Sequence, residues 1–198
     1  MKKLILYMGL LLCTYEATVT DFKDSPVIPD ITINTNKANL KRNGALMLLD
    51  DKPFSGHLVS YYSNGQLESE NTYFKGFREG KSSQFYSDGS LKEERWYSKN
   101  QKTGSHYGWW PNGNMKFEFH FVDGLHHGEA KEWQTDGQPY KFFNYTMGKE
   151  DGSQKMWESD GSIRANYVVK DGHRYGLIGL KNCKSVNNET GTFSALPY

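Results

Sequence analysis

The chain has 198 residues, 36% hydrophobic and 15% aromatic, with 24 basic and 23 acidic side chains. That length holds one domain of ordinary size plus a tail, and the near-neutral balance removes any electrostatic argument for nucleic acid or for an anionic membrane surface. The 13 Tyr and 11 Phe favour strands and the 20 Gly favour turns, so composition leans towards an all-β fold.

Lys2-Lys3 and the apolar run from Leu4 to Leu12 open the chain, and that run is too short to span a bilayer. Followed directly by Cys13, residues 1–13 read as an export signal of the lipoprotein type, with Cys13 as the lipidation candidate; Leu12 stands where such signals usually carry a small residue. Residues 14–43 are polar, contain Pro26 and Pro29, and read as a tether. Residues 44–56, with Leu49, Lys52, Pro53-Phe54 and Gly56, match the second half of a repeat unit and are expected to cap an array.

The array itself is written in glycine. Asn64-Gly65, Asp88-Gly89, Asn112-Gly113, Asp136-Gly137 and Asp160-Gly161 recur every 24 residues. Gly56, Gly80, Gly104, Gly128, Gly152 and Gly176 keep the same spacing, as do Gly76, Asn100, Gly124, Gly148 and Gly172. Registered series of this kind predict five hairpin units over residues 57–176, ten strands in one elongated, twisted antiparallel meander. The Asn-Gly and Asp-Gly pairs are expected in type I′ turns. A lone hairpin is marginal in water, so successive units must bury one another's side chains. The columns headed by Tyr61, Leu67 and Tyr73 are mostly apolar or aromatic and are assigned to the core. A two-residue turn would put Tyr61 on the face opposite to Tyr62 and Leu67, and a bulge would reverse this, so the face of the Tyr61 column stays open. Residues 177–198 are left as a cap and tail, in which Leu177 to Leu180 is an apolar piece suited to covering the last edge.

The string in Tyr61-Tyr62-Ser63-Asn64-Gly65-Gln66-Leu67 and Trp109-Trp110-Pro111-Asn112-Gly113-Asn114-Met115, followed by an aromatic and Gly-x-x-x-Gly, resembles the MORN-repeat variant of bacteria over about residues 46–176. The resemblance implies stacked hairpins in a non-catalytic module used for scaffolding or membrane-proximal roles, often labelled antitoxin-like. Choline-binding cell-wall repeats have a similar composition, but the Gly-Trp opening of each unit is missing here.

Candidate chemistry is sparse. Tyr62, Tyr86 and Trp110, extended by Trp96 and His120, form a candidate aromatic ladder for a protein partner or for sugar rings. His126-His127 is a poor metal pair, because adjacent residues in an extended chain point apart. Glu70, Glu94 and Glu118 recur by periodicity beside lysines and read as a solvated face. Cys183 reads as a small buried hydrophobe of the C-terminal cap. The sequence therefore predicts no enzyme, no cofactor and no metal. It predicts an exported module of the periplasm, outer membrane or cell surface that binds a protein, touching the membrane only through an N-terminal lipid. Binding of a cell-wall glycan, and an antitoxin role, are the alternatives.

Overall fold

The computed structural model describes residues 26–179 and two short strands, Ser185–Val186 and Phe193–Ser194. The export signal, Cys13 and Cys183 lie outside the described residues. Five hairpins run in chain order, pairing Gly56–Tyr61 with Leu67–Phe74, Phe77–Phe85 with Leu91–Ser98, Gly104–Trp109 with Met115–Val122, Leu125–Trp133 with Pro139–Thr146, and Gly152–Trp157 with Ile163–Lys170. Each hairpin pairs antiparallel with the next, and His173–Leu177 adds a further strand after the fifth. The all-β meander read from the glycine spacing is the architecture.

The two ends of the hairpins turn differently, and here one expectation is corrected. At Asn64-Gly65 the Gly65 amide donates to the Tyr62 carbonyl (3.0 Å) and the Tyr62 amide to the Gln66 carbonyl (2.9 Å). Gly65 has φ +83° while Asn64 keeps a negative φ. This is a type I turn closed by a left-handed glycine, a three-residue loop, not the type I′ turn expected there. The Asn64 side chain explains the preference for Asn or Asp: its Oδ1 accepts from the Gln66 amide at 3.0 Å, and Asp88, Asn112, Asp136 and Asp160 repeat the contact. The type I′ turns lie at the other end, between units. Lys75 and Gly76 have φ +50° and +84°, and Phe74 pairs directly with Phe77.

A register shift at Ser60/Tyr61 recurs in every unit and settles the faces. Gly56 pairs with Tyr73, Leu58 with Asn71 and Ser60 with Ser69, so these share one face, called the inner face below. His57, Val59 and Tyr61 lie on the outer face with Glu70 and Thr72. The expected core columns therefore separate. Tyr73, Tyr97, Phe121 and Val169 are buried on the inner face. Tyr61 is 41% exposed on the outer face and Phe85, Trp109, Trp133 and Trp157 are half-buried there, so this column is not core.

The stretch expected as a tether to Asn43 is folded from Thr32 onward. Thr32–Asn34 pairs parallel with His57, Leu58 and Val59 and covers the first edge of the sheet. A 3-10 turn, Thr35–Lys37, leads to a separate sheet of Leu40–Asn43, Leu46–Leu49 and Lys52–Pro53. This small sheet lies on the inner face of the array and does not extend the meander. Its apolar side is the reason: Leu40, Met47 and Leu49, with Ile33 from the edge strand, pack on buried Phe54, Leu58 and Tyr73. At the far end, Leu177 and Ile178 are exposed, and among the described residues nothing covers the strand His173–Leu177.

Candidate functional site

On the inner face, beside the turns between units, one column runs through Phe54, Arg78, Lys102, His126, Glu150 and Arg174, each 24 residues after the last. Its members alternate with the buried aromatics. The Arg78 guanidinium lies 4.7 Å from the centroid of the Tyr97 ring, and the Lys102 ammonium 4.8 Å from that of Phe121. The His126 ring sits 4.3 Å from Phe121 and 5.2 Å from Tyr145. At the end of the column the Glu150 carboxylate accepts from the Tyr167 hydroxyl (3.1 Å) and from Arg174 Nη2 (2.8 Å). Burial, with Glu150 beside it, pushes the Tyr167 phenol up to about 12. Sequence reading missed this column. Its signal was present: every member after Phe54 stands two residues after a glycine or asparagine of the Gly76 series, but mixed chemistry hid the periodicity.

A cavity of about 300 Å³ opens between the small sheet and this face, lined by Arg42 and Met47 above and by Tyr73, Arg78, Tyr97 and Asn100 below. Asn100 anchors it. Its Oδ1 accepts from the Arg78 amide at 2.6 Å and its Nδ2 donates to the Ala45 carbonyl at 2.8 Å. Nearby, His106 is completely buried, and its Nε2 donates to the Trp96 carbonyl at 2.8 Å. Nδ1 of both His106 and His126 is buried without a protein partner. Desolvation lowers the pKa of each, helped by Arg95 and Lys102 at His106 and by Lys102 and Lys141 at His126, so both are neutral at pH 7. No grouping of His, Cys, Asp and Glu suited to a metal ion occurs among the described residues, and His126 and His127 occupy different surroundings.

The sequence-derived ladder is divided by the structure. Tyr62 and Tyr86 donate their hydroxyls to the carbonyls of Phe85 and Trp109, both at 2.8 Å, and Trp110 Nε1 donates to Trp133 at 3.1 Å. These residues peg each hairpin to the next. Trp96 and His120 lie on the outer face, 42% exposed and half-buried respectively, and no ring pair among the described residues joins them to the Tyr62 column. Glu70, Glu94 and Glu118 share that face with basic side chains: Glu70 is 3.3 Å from His57, Glu94 is 3.4 Å from Lys81 and Glu118 is 3.5 Å from His120. The Tyr61 column places an aromatic on the outer face in every unit, and its last two members are joined by Phe142, edge-on between Trp133 and Trp157 at 5.4 and 5.1 Å.

Repeated hairpins that differ in side chains but share one hydrogen-bond pattern define a β-hairpin repeat protein. Residues 55–75, 78–100 and 102–123 match the family model described as the MORN repeat variant. The fourth and fifth hairpins continue the pattern beyond the matched span. No curated protein matches the chain. A chain in a crystal structure of the GtfA/B complex bound to UDP and GlcNAc aligns over 73% of this chain and 28% of its own, at 11% identity and a TM-score of 0.22. So loose a likeness bears on neither fold nor function.

Proposed function

We propose that this protein is a non-catalytic repeat module of the bacterial cell envelope that binds or scaffolds a protein partner through the outer face of its sheet. One observation carries the reading. All five hairpins present an aromatic at the Tyr61 position on the outer face, opposite to the small sheet. Aromatics of this kind, half-buried against their own strands, supply large contact area at little entropic cost and dominate binding energy at protein interfaces. The rings also argue for protein over glycan. Trp133 and Phe142 meet at 69° and Phe142 and Trp157 at 72°, which offers knobs and edges but no flat platform for sugar stacking. Placement in the envelope rests on Lys2-Lys3, the apolar run from Leu4 and Cys13.

The test is face-selective. A photo-crosslinking amino acid at Trp133, on the outer face, is expected to capture one discrete envelope protein, and the same group at Phe119, on the inner face, to capture none. Equal capture from the two faces, or recovery of the protein in the cytosolic fraction, would overturn the proposal.

A further inference from the structure

We infer that the cavity under the small sheet is a carboxylate-binding site, with the Arg78 guanidinium as its principal ligand and Arg42 as a second cation. The inference adds a separate site on the inner face and does not depend on the outer face being an interface.

The fold supplies its own template. The column that holds Arg78 holds a second arginine, Arg174, 96 residues later. There the guanidinium lies 5.4 Å from the centroid of the Tyr167 ring and is met by a carboxylate, with Glu150 Oε2 2.8 Å from Nη2 and 3.1 Å from Nε. Glu150 stands one unit before Arg174 in the same column. The residue one unit before Arg78 is Phe54, buried at 4% exposure in the apolar cluster under the small sheet. Arg78 thus keeps the aromatic support of the Arg174 arrangement and lacks its anion. No carboxylate lines the cavity, and neither Arg42 nor Arg78 is ion-paired among the described residues. The adjacent Glu79 does not reach in, since its Oε2 accepts from the Lys99 amide at 2.8 Å.

A guanidinium is permanently charged, and taking it half out of water without a counterion is unfavourable. Lys102, next in the column, adds to the positive potential, and Arg95 on the same face is already neutralised by Glu93 at 2.8 Å. The planar fork of Arg78, backed by the Tyr97 ring, suits a planar two-oxygen acceptor, and a volume of about 300 Å³ admits an acidic side chain or a peptide C-terminus. Asn100 fixes the geometry through the Arg78 backbone and the small sheet and is a positioning residue here.

The test is an NMR titration of the full chain with N-acetylalanine, its uncharged methylamide, and inorganic phosphate at constant ionic strength. The expected result is saturable shifts centred on Arg78 and Asn100 with N-acetylalanine, at a dissociation constant on the order of 1 mM. The methylamide should give none and phosphate weaker ones. Arg78→Gln should weaken the carboxylate at least tenfold and Arg78→Lys less, with the remaining spectrum of each variant unchanged. Arg42→Gln, on an exposed strand, is the second variant and should weaken it severalfold. Unchanged affinity in Arg78→Gln, shifts spread over all surface lysines and arginines, or tighter binding of phosphate would each overturn the assignment. Crosslinking from Trp133 should persist in Arg78→Gln, so a failure here is separate from a failure of the outer-face interface.

Discussion

The two rows of bends along the edges of this sheet have the same period and opposite logic. In the row of Gly65, the loop is shaped by side chains: an Asn or Asp caps the turn, and Tyr62, Tyr86 and Trp110 tie each loop to the next. In the row of Gly76, the turn is two residues in left-handed conformation with no Asn or Asp cap repeated in every unit, and the next layer approaches closely. The Gly76 carbonyl accepts from Met47 at 2.8 Å and its amide donates to Phe54 at 2.7 Å. The difference assigns labour. The loop row sets the pitch of the stack and faces water, while the connecting row bears the small sheet, the cation column and the cavity.

Exchanging glycine for valine in each row gives the largest expected contrast. Both Gly65 and Gly76 have φ above +80°, which a β-branched residue resists. At Gly76 a Cβ would also lie 3.1 Å from the Met47 carbonyl oxygen and from a Leu46 methyl, whereas at Gly65 it meets nothing. Gly76→Val is expected to lower unfolding free energy by about 3 kcal/mol and Gly65→Val by about 1.5 kcal/mol, read from urea midpoints. Equal losses would mean that the small sheet is not seated on the connecting row.

Acidification is expected to follow in size, and near neutral pH it acts through two buried histidines of the inner face. Burial depresses the pKa of His106 and His126, so below about pH 6.5 the unfolded chain takes up protons that the folded chain refuses. The stability tied to their neutral forms is complete above that pH and falls as pH drops from 7.5 to 5. Urea midpoints at the two pH values should show the decline. His106→Gln should reduce it, because Gln154, two units later in the same column, is fully buried and uncharged. A midpoint independent of pH would show that these rings are open to water.

Asn100→Gly comes next. Asn100 is the one member of its series that is not glycine, and its two side-chain hydrogen bonds hold the small sheet and the Arg78 backbone. Losing them should outweigh the relief of a left-handed backbone and cost about 1.5 kcal/mol in the same assay. A stabilised variant would show that the asparagine is tolerated and not required.

How much of this was legible in the sequence follows from which interactions are periodic. The hairpins were, because the glycine series marks each bend without an insertion. The turn types were not. Asn-Gly satisfies both a type I′ turn and a type I turn with a left-handed glycine, and the deciding residue was Pro111, whose fixed φ suits the second position of a type I turn. Lys75 and Met147 carry no preference for positive φ, and only Asp123-Gly124 and Asp171-Gly172 carry the Asp-Gly signature, so the true type I′ turns were marked in part. The Tyr61 column was assigned to the core because five aromatics in register look buried. The bulge that turns them outward is a register effect no composition reveals. The cavity was out of reach, since it forms between residues 42–47 and 73–100, whose contact no periodicity encodes.

The smallest effect tests the pegs. Their lengths rise along the array, from 2.8 Å at Tyr62 and Tyr86 to 3.1 Å at Trp110 and 3.4 Å for Gln134 Nε2 to the Glu158 carbonyl. Only a well-made hydrogen bond to a partly desolvated carbonyl contributes measurably. The Tyr86 hydroxyl reaches the half-buried Trp109 at 2.8 Å, and partial burial raises the pKa of its phenol, whereas Gln134 reaches the exposed Glu158. Tyr86→Phe should therefore cost about 1 kcal/mol and Gln134→Ala no more than a few tenths, the usual range for surface changes. Equal costs would mean that the stack is held by ring packing at this edge and that the hydroxyls are incidental. A cost confined to Tyr86 would place the pitch of the array in side-chain hydrogen bonds that weaken towards its C-terminal end.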